Sequence, residues 1–77
     1  MTARPLIETS VKIGDSITAK RTGERFKVTD VSHSPEYGCI IEVDYLINSR
    51  RVGLYREIFS DEFSEYEIVD STCWVNY

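Results

Sequence analysis

The stretch from Cys39 to Phe59 limits the possible folds of this chain more than any other. It contains two runs rich in Ile, Val, Leu and Tyr, separated by the polar residues 48–51. Two such runs joined by a short polar segment predict a long β-hairpin. Apolar residues alternate from Cys39 to Tyr45, and we expect them to face the core, whereas Glu42 and Asp44 between them should face water.

Shorter strands are predicted on both sides of this hairpin. Ser16–Lys20 and Arg25–Val31 alternate in polarity, and the tight turn between them contains Gly23, which can adopt a positive φ. Glu65–Asp70 has the pattern of a short final strand. The segment Ser60–Phe63 predicts one helical or 3-10 turn, with Ser60 as its cap and acidic residues in its first turn.

Two features interrupt the regular strand pattern before the hairpin. Val31 falls one residue out of phase with the preceding alternation if Asp30 is to remain solvated, and this predicts a bulge or bend. His33–Gly38 contains Pro and Gly without any periodicity and is therefore predicted to be a loop.

The chain divides into one domain and two short flanking segments. Residues 1–10 carry little pattern and are predicted to form a loosely held N-terminal arm. Residues 11–70 form the domain, and residues 71–77 are a C-terminal tail or an extra edge strand. An open edge strand could also pair between two copies of the chain, so an edge-strand dimer is one expected form.

The order of these elements can be compared with small β-barrels. The features that matter are Gly14-Asp15 before the first strand, Gly23 in the first hairpin, the hairpin 39–59, and the spaced run Tyr55, Phe59, Phe63, Tyr66-Glu67-Ile68. This arrangement resembles the SH3-like (Tudor- or KOW-like) small barrels over Val11–Asp70. The resemblance implies an all-β, five-stranded barrel with one helical turn before the last strand. The resemblance identifies no functional residues in this chain, because such barrels have many unrelated functions.

Size and composition exclude several classes of protein. A chain of 77 residues forms one small domain with little room for a deep cleft. No apolar run approaches the roughly 20 residues that cross a bilayer, so no membrane association is expected. The first residues lack the apolar segment of a secretory signal, and we therefore expect a cytoplasmic protein.

The residues most often used in catalysis and metal binding do not form a recognisable motif. Cys39 and Cys73 lack the spacing of a disulfide framework, and together with the single His33 they do not match a zinc motif. Ser32 and Ser34 flank His33, but a nucleophile and its base normally meet through the fold rather than as sequence neighbours. The chain contains neither GxGxxG nor GxxxxGKS/T, the two glycine-rich motifs that bind phosphate groups. We predict no enzyme activity, no cofactor and no metal site.

The charge distribution indicates a protein partner. All nine basic residues lie at or before Arg56, so residues 1–56 carry a net charge of +2 and residues 57–77 carry −6. Aromatic residues among these carboxylates suggest an interface in which rings anchor and charges steer. We predict a non-catalytic module, of the kind of small acidic inhibitor found in phages and mobile elements, that binds a basic surface of another protein. The predicted binding residues are Tyr55, Glu57, Phe59, Asp61, Glu62, Glu65, Tyr66 and Glu67.

The alternative is a nucleic-acid-binding barrel. Basic residues cluster in the first hairpin and in the second, close to tyrosines that could stack on bases. The isoelectric point of about 4.8 and the interleaved acidic residues argue against this alternative. Its predicted binding residues are Lys20, Arg21, Arg25, Lys27, Arg50, Arg51 and Arg56.

Overall fold

The fold is built from β-strands and one short helix. The computed structural model describes residues 3–69. The elements are β1 (Ala3–Pro5), β2 (Ser16–Ala19), β3 (Arg25–Ser34), β4 (Gly38–Ile47), β5 (Arg50–Phe59), a 3-10 helix (Ser60–Glu65) and β6 (Tyr66–Val69). Within this range no helix is long and apolar enough to span a bilayer. The predicted tail or edge strand at 71–77 lies outside the described residues.

All six strands belong to one antiparallel sheet in the order β1-β6-β2-β3-β4-β5. The predicted all-β class is therefore confirmed, as is a single helical turn before the last strand. Within residues 3–69 the sheet has six strands, whereas the sequence predicted a barrel of five. Strands β2 to β5 follow one another as a meander, and β6 then returns to pair with β2.

The sixth strand comes from the N-terminal segment, which is not a loosely held arm. Ala3 pairs with Val69 of β6, and the chain then places Leu6 and Val11 in the core at 3% and 7% exposure. Burying a side chain such as leucine contributes about 1.5–3 kcal/mol, and this burial together with the β1–β6 pairing favours the ordered position of a segment that has no periodic pattern of its own.

The core lies against the inner face of the sheet. Phe26 is at its centre, with ring centroids 4.7 Å from Tyr45 and 6.0 Å from Tyr66. The core residues are Leu6, Val11, Ile17, Phe26, Val28, Cys39, Ile41, Val43, Ile58, Phe63, Tyr66 and Ile68. The predicted inward face of β4 is confirmed for Cys39, Ile41 and Val43, while Tyr45 is half-buried.

Strand β3 contains the predicted bulge and extends further than predicted. The register with β4 shifts between Val28 and Asp30, so Thr29 is the extra residue and Asp30 stays exposed. The predicted loop at His33–Gly38 is too long, because His33 and Ser34 continue β3 by pairing with Cys39 and Gly38. Only residues 35–37 form the turn.

The β4–β5 hairpin turns within two residues rather than the four predicted. Asn48 and Ser49 both adopt positive φ, at 54° and 64°, as a type I′ hairpin turn requires. Arg50 and Arg51 already belong to β5. The register then shifts between Asp44 and Leu46, so that residues 52–54 of β5 lie opposite the single residue Tyr45.

The prediction that Asp44 faces water is wrong. Asp44 is 1% exposed because the bulge at residues 52–54 folds over its side chain. Its carboxylate accepts hydrogen bonds from the backbone N–H groups of Gly53 (2.9 Å) and Leu54 (3.1 Å) and from Nε of Arg51 (2.9 Å). A buried carboxylate is stable only with such partners, and here it has three.

The predicted cap of the 3-10 helix is also different. Phe59, not Ser60, occupies the N-cap position, and its backbone N–H donates a hydrogen bond of 3.5 Å to the Glu62 carboxylate. The Ser60 hydroxyl instead donates a hydrogen bond of 2.9 Å to the backbone carbonyl of Tyr37. This bond ties the start of the helix to the β3–β4 turn.

Candidate functional site

Three carboxylates form a row across the outer face of the sheet. Asp30 of β3 lies opposite Glu42 of β4, which in turn lies opposite Glu57 of β5. Directly opposed residues in antiparallel strands point to the same side, and all three are exposed. We call these three residues the carboxylate row.

An aromatic pair lies beside the carboxylate row. Phe59 is two residues beyond Glu57 on β5 and therefore faces the same side of the sheet. The ring of Tyr37, in the β3–β4 turn, meets Phe59 edge-on with centroids 5.5 Å apart and an interplanar angle of 83°. Phe59 is half-buried, whereas Tyr37 is 58% exposed.

These two rings and three carboxylates line one groove. Its volume is about 470 Å³, and it is lined by Glu36, Tyr37, Phe59, Ser60, Asp61 and Glu62. We call it the aromatic groove. Together with the carboxylate row it forms one continuous surface, which we call the acidic face.

Local hydrogen bonds hold the groove in shape. The hydroxyl of Ser34 accepts bonds from the backbone N–H groups of Glu36 (3.2 Å) and Tyr37 (3.3 Å), which fixes the β3–β4 turn. The bond from Ser60 to the carbonyl of Tyr37 then joins this turn to the 3-10 helix. The two sides of the groove are therefore linked to each other.

Little positive charge within the described residues neutralises the groove. Glu62 lies 3.9 Å from Arg56, but both side chains are more than a third exposed, and such surface pairs contribute at most about 1 kcal/mol. Within residues 3–69, Glu36 and Asp61 form no ion pair. The groove therefore presents two aromatic rings and three carboxylates to solvent.

The fold separates the predicted acidic and aromatic residues. Phe59, Asp61 and Glu62 meet in the groove, Glu57 adjoins them in the carboxylate row, and Tyr55 lies further along the same face of β5. The remaining three lie elsewhere. Tyr66 is in the core at 4% exposure, Glu67 pairs with Thr18 and Pro5 in the sheet, and Glu65 lines a second groove with Arg21 and Arg56.

Sequence reasoning missed four charged or aromatic residues of the acidic face. Asp30 and Glu42 join Glu57 only once the register of three strands is known, and the bulge at Thr29 sets that register. Glu36 and Tyr37 lie in a turn more than twenty residues from Phe59 in sequence. Pro35 and Gly38 indicated a turn at this position, but the sequence did not show which residues the turn contacts.

Five of the seven alternative basic residues lie at the end of the sheet opposite the β3–β4 turn, whereas Lys27 and Arg56 pair with Asp44 and Val43 nearer the middle of the strands. Arg25, Leu46 and Arg51 lie opposite one another across β3, β4 and β5, and Arg50 follows beside Ile47. Lys20 and Arg21 lie in the β2–β3 turn at the same end. Three of the predicted residues have contacts within the chain: Arg51 with Asp44, Arg56 with Glu62, and Lys27 with the carbonyl of Gly14.

A separate cluster of three potential metal ligands lies at the end of the core next to the β3–β4 turn. A carboxylate oxygen of Glu8, a ring nitrogen of His33 and the sulfur of Cys39 all lie within 4.8 Å of one another. Burial raises the pKa of the Cys39 thiol above its usual value, and the nearby Glu8 carboxylate raises it further. The sequence predicted no metal site, because Cys39, Cys73 and His33 lack the spacing of a zinc motif; the fold places His33 and Cys39 beside Glu8.

No protein-family model, curated protein or solved structure matches this chain. Its function is therefore inferred from the surfaces of the fold.

Proposed function

We propose that this protein is a non-catalytic binding module whose acidic face binds a basic surface of a partner protein. The observation that carries the proposal is the aromatic groove, in which two rings and three carboxylates line one concave site. In its most specific form, the partner is a nucleic-acid-binding protein, and the acidic face occupies its phosphate-binding surface as a small inhibitor would.

The groove suits a lysine or arginine side chain of the partner. A cation held near an aromatic ring gains about 0.5–1 kcal/mol at an exposed site, and more as water is excluded. The carboxylates of Glu36, Asp61 and Glu62 would pair with the same cation. Aromatic anchors within a charged rim are the usual anatomy of a protein interface.

The carboxylate row supports the same conclusion on physical grounds. Like charges directly opposite each other across a sheet destabilise it, and here Glu42 faces an acidic residue on each side. A basic partner surface would relieve this repulsion on binding. The carboxylate row would also increase the association rate with such a partner, since complementary charges attract the two surfaces before contact.

We further propose that the sheet is a small SH3-like barrel. The support for this is the strand order β6-β2-β3-β4-β5 together with the 3-10 helix directly before β6. Partners of such barrels commonly dock between the loops or on an open strand edge. The aromatic groove, which lies between the β3–β4 turn and the 3-10 helix, is a site of the first kind.

Charge reversal in the groove tests the proposal. The partner is first captured from source cells and identified by mass spectrometry, and its affinity is then measured by calorimetry. The double variant Glu36→Lys/Asp61→Lys should weaken binding at least about tenfold, since the loss of two pairs and the new repulsion together exceed 1.4 kcal/mol. Both positions are exposed, so the thermal midpoint should stay close to that of the wild type.

A matched control makes the same change of charge away from the acidic face. Glu24→Lys/Glu65→Lys alters the second groove, beside Arg21 and Arg56, and should leave the affinity within about twofold. If the two double variants weaken binding equally, only net charge matters and the groove is not the site. If the groove variant binds as tightly as the wild type, the proposal is wrong.

Nucleic-acid binding remains the second candidate because five of the seven predicted basic residues lie at one end of the sheet. Arg25, Arg50 and Arg51 lie on neighbouring strands there, next to the turn that carries Lys20 and Arg21. Fluorescence anisotropy with single- and double-stranded DNA and RNA at low ionic strength distinguishes the candidates, since counterion release is then most favourable. Absence of binding under that condition would exclude this candidate.

A further inference from the structure

We propose that Glu8, His33 and Cys39 form a binding site for one zinc ion, independent of the acidic face. Carboxylate oxygen, imidazole nitrogen and thiolate sulfur are the three ligand types that zinc takes in proteins. Their ligand atoms lie within 4.8 Å of one another. The hard cations Ca²⁺ and Mg²⁺ do not fit this set, because they prefer oxygen ligands.

The separation of the three atoms is close to what a tetrahedral site needs. Zinc–ligand distances of about 2.0–2.3 Å place neighbouring ligand atoms about 3.4–3.6 Å apart. The present separations therefore need to close by at most about 1.4 Å. Because Glu8 and His33 are exposed, rotation of their side chains can supply that movement.

The sheet places two of the ligands next to each other. His33 and Cys39 are directly opposite residues at the end of β3 and β4, so their side chains leave the same face of the sheet. The turn of residues 35–37 connects them, and paired backbone holds both. This juxtaposition comes from strand pairing and has no counterpart in the CxxC-type spacing of zinc motifs.

The third ligand comes from the N-terminal segment, which is held in place by its own contacts. Leu6 and Val11 are buried on either side of Glu8, and the backbone N–H groups of Ser10 and Val11 both donate to the carbonyl of Ile7. Glu8 is therefore presented to the cluster by a short ordered turn.

The burial pattern indicates how the ion would enter. Cys39 is fully buried, whereas Glu8 and His33 are exposed, so the ion would arrive from the solvent side and meet the sulfur last. The Cys39 thiol loses its proton to solvent as the zinc–sulfur bond forms, which balances the charge of the step. Three protein ligands leave the fourth position for a water molecule.

Zinc binding would join the N-terminal segment to the β3–β4 hairpin. Glu8 is 25 residues before His33 in sequence, and the ion would close this part of the chain into a ring. An ion that binds only the folded state stabilises it by mass action. At a hundredfold excess of zinc over its dissociation constant, the thermal midpoint should rise by at least about 10 °C for a chain of this size.

The test uses the full chain with Cys73→Ser, so that any thiolate signal belongs to Cys39. Calorimetry should give one zinc per chain, and cobalt should give a thiolate-to-cobalt absorption band that zinc abolishes. Glu8→Gln and His33→Asn, both at exposed positions, should each weaken zinc binding at least about tenfold. Glu24→Gln, an exposed carboxylate at the far end of β3, is the matched control and should bind as the parent does.

The same measurements can contradict the zinc proposal. The proposal is overturned if micromolar zinc neither binds at a ratio of one per chain nor raises the thermal midpoint. It is equally overturned if the Glu8 and His33 variants bind like the control. Since no step involves the acidic face, either proposal can fail without the other.

Discussion

At the scale of single residues, Asp44 determines the course of β5. Glu42, two positions earlier on the same face of β4, is exposed, whereas Asp44 is almost fully buried. Burial alone would raise the pKa of the Asp44 carboxyl. The hydrogen bond and charge of Arg51 and the N–H groups of Gly53 and Leu54 outweigh that effect, so the pKa lies below its usual value.

This lowered pKa predicts how stability depends on pH. A carboxyl whose pKa is lower in the folded state stabilises the fold above its unfolded pKa of about 3.9, and the stabilisation is lost as the pH falls through the folded value. Asp44→Asn should therefore lower the thermal midpoint at pH 7. The difference from the wild type should shrink below about pH 4.

Thermal unfolding followed by circular dichroism from pH 7 to pH 2 measures this effect. Glu42→Gln is the matched control, because that carboxylate is exposed and accepts one bond from the hydroxyl of Thr29. A midpoint difference for Asp44→Asn that is as large at pH 2 as at pH 7 would show that the charge of Asp44 has no part in holding the bulge.

At the scale of elements, the β4–β5 turn contains a strained residue. Ser49 adopts a φ of 64°, in the left-handed region that costs residues with a Cβ roughly 1–2 kcal/mol. Asn48 tolerates this region better, and Asn-Gly is the preferred sequence for such a turn. The chain therefore lacks the best residue at the second position.

Ser49→Gly should stabilise the protein. Relief of the left-handed strain exceeds the added flexibility of glycine in the unfolded chain, leaving a net gain of about 0.5–1 kcal/mol. Urea unfolding measures it. Ser64→Gly, at an exposed position of the 3-10 helix without positive φ, should instead destabilise by about 0.5–1 kcal/mol. A loss of stability in both variants would contradict the turn assignment.

The strands could be predicted from sequence where alternation determines them. The hairpin core face and the bulge near Asp30 both follow from the spacing of apolar residues, which burial enforces. β1 could not be predicted, because a three-residue strand exists only through its pairing with β6. The burial of Asp44 likewise depends on the register between β4 and β5, which no local pattern specifies.

At the scale of the molecule, acidic and basic residues are concentrated towards opposite ends of strands β3 to β5. The acidic face and the Glu8 cluster lie towards the β3–β4 turn, and five basic residues lie around the β2–β3 and β4–β5 turns: Lys20, Arg21, Arg25, Arg50 and Arg51. The sequence showed an acidic last quarter, but the antiparallel fold redistributes it. Glu65 returns to the basic end, while Asp30, Glu36 and Glu42 from the basic part join the acidic face.

The same topology predicts the order of folding. β3, β4 and β5 pair with their neighbours in sequence, whereas Ile17 and Ile68 pair across about 50 residues. Because long loops must close before such distant contacts form, the meander should assemble first. Ile41→Val, in β4, should mainly slow folding, and Ile68→Val, in β6, should mainly speed unfolding.

The two substitutions are matched, since both residues are isoleucines with no exposed surface. Each should cost about 0.5–1.5 kcal/mol, enough for a useful comparison of rates by stopped-flow fluorescence. The expected φ values are about 0.5–0.8 for Ile41→Val and about 0–0.3 for Ile68→Val. Equal values would show that β6 joins the sheet together with the meander.

The bulge in β5 also affects the tendency of the protein to aggregate through its exposed sheet edge. Within the described residues β5 has β4 as its one neighbour, and a ten-residue exposed edge of this kind is a template for aggregation. The bulge at residues 52–54 breaks this edge into two short pieces, and Asp44 holds two of its N–H groups inward, where another chain cannot reach them. By the same argument, the buried carboxylate disfavours fibril-like association at the edge of β5.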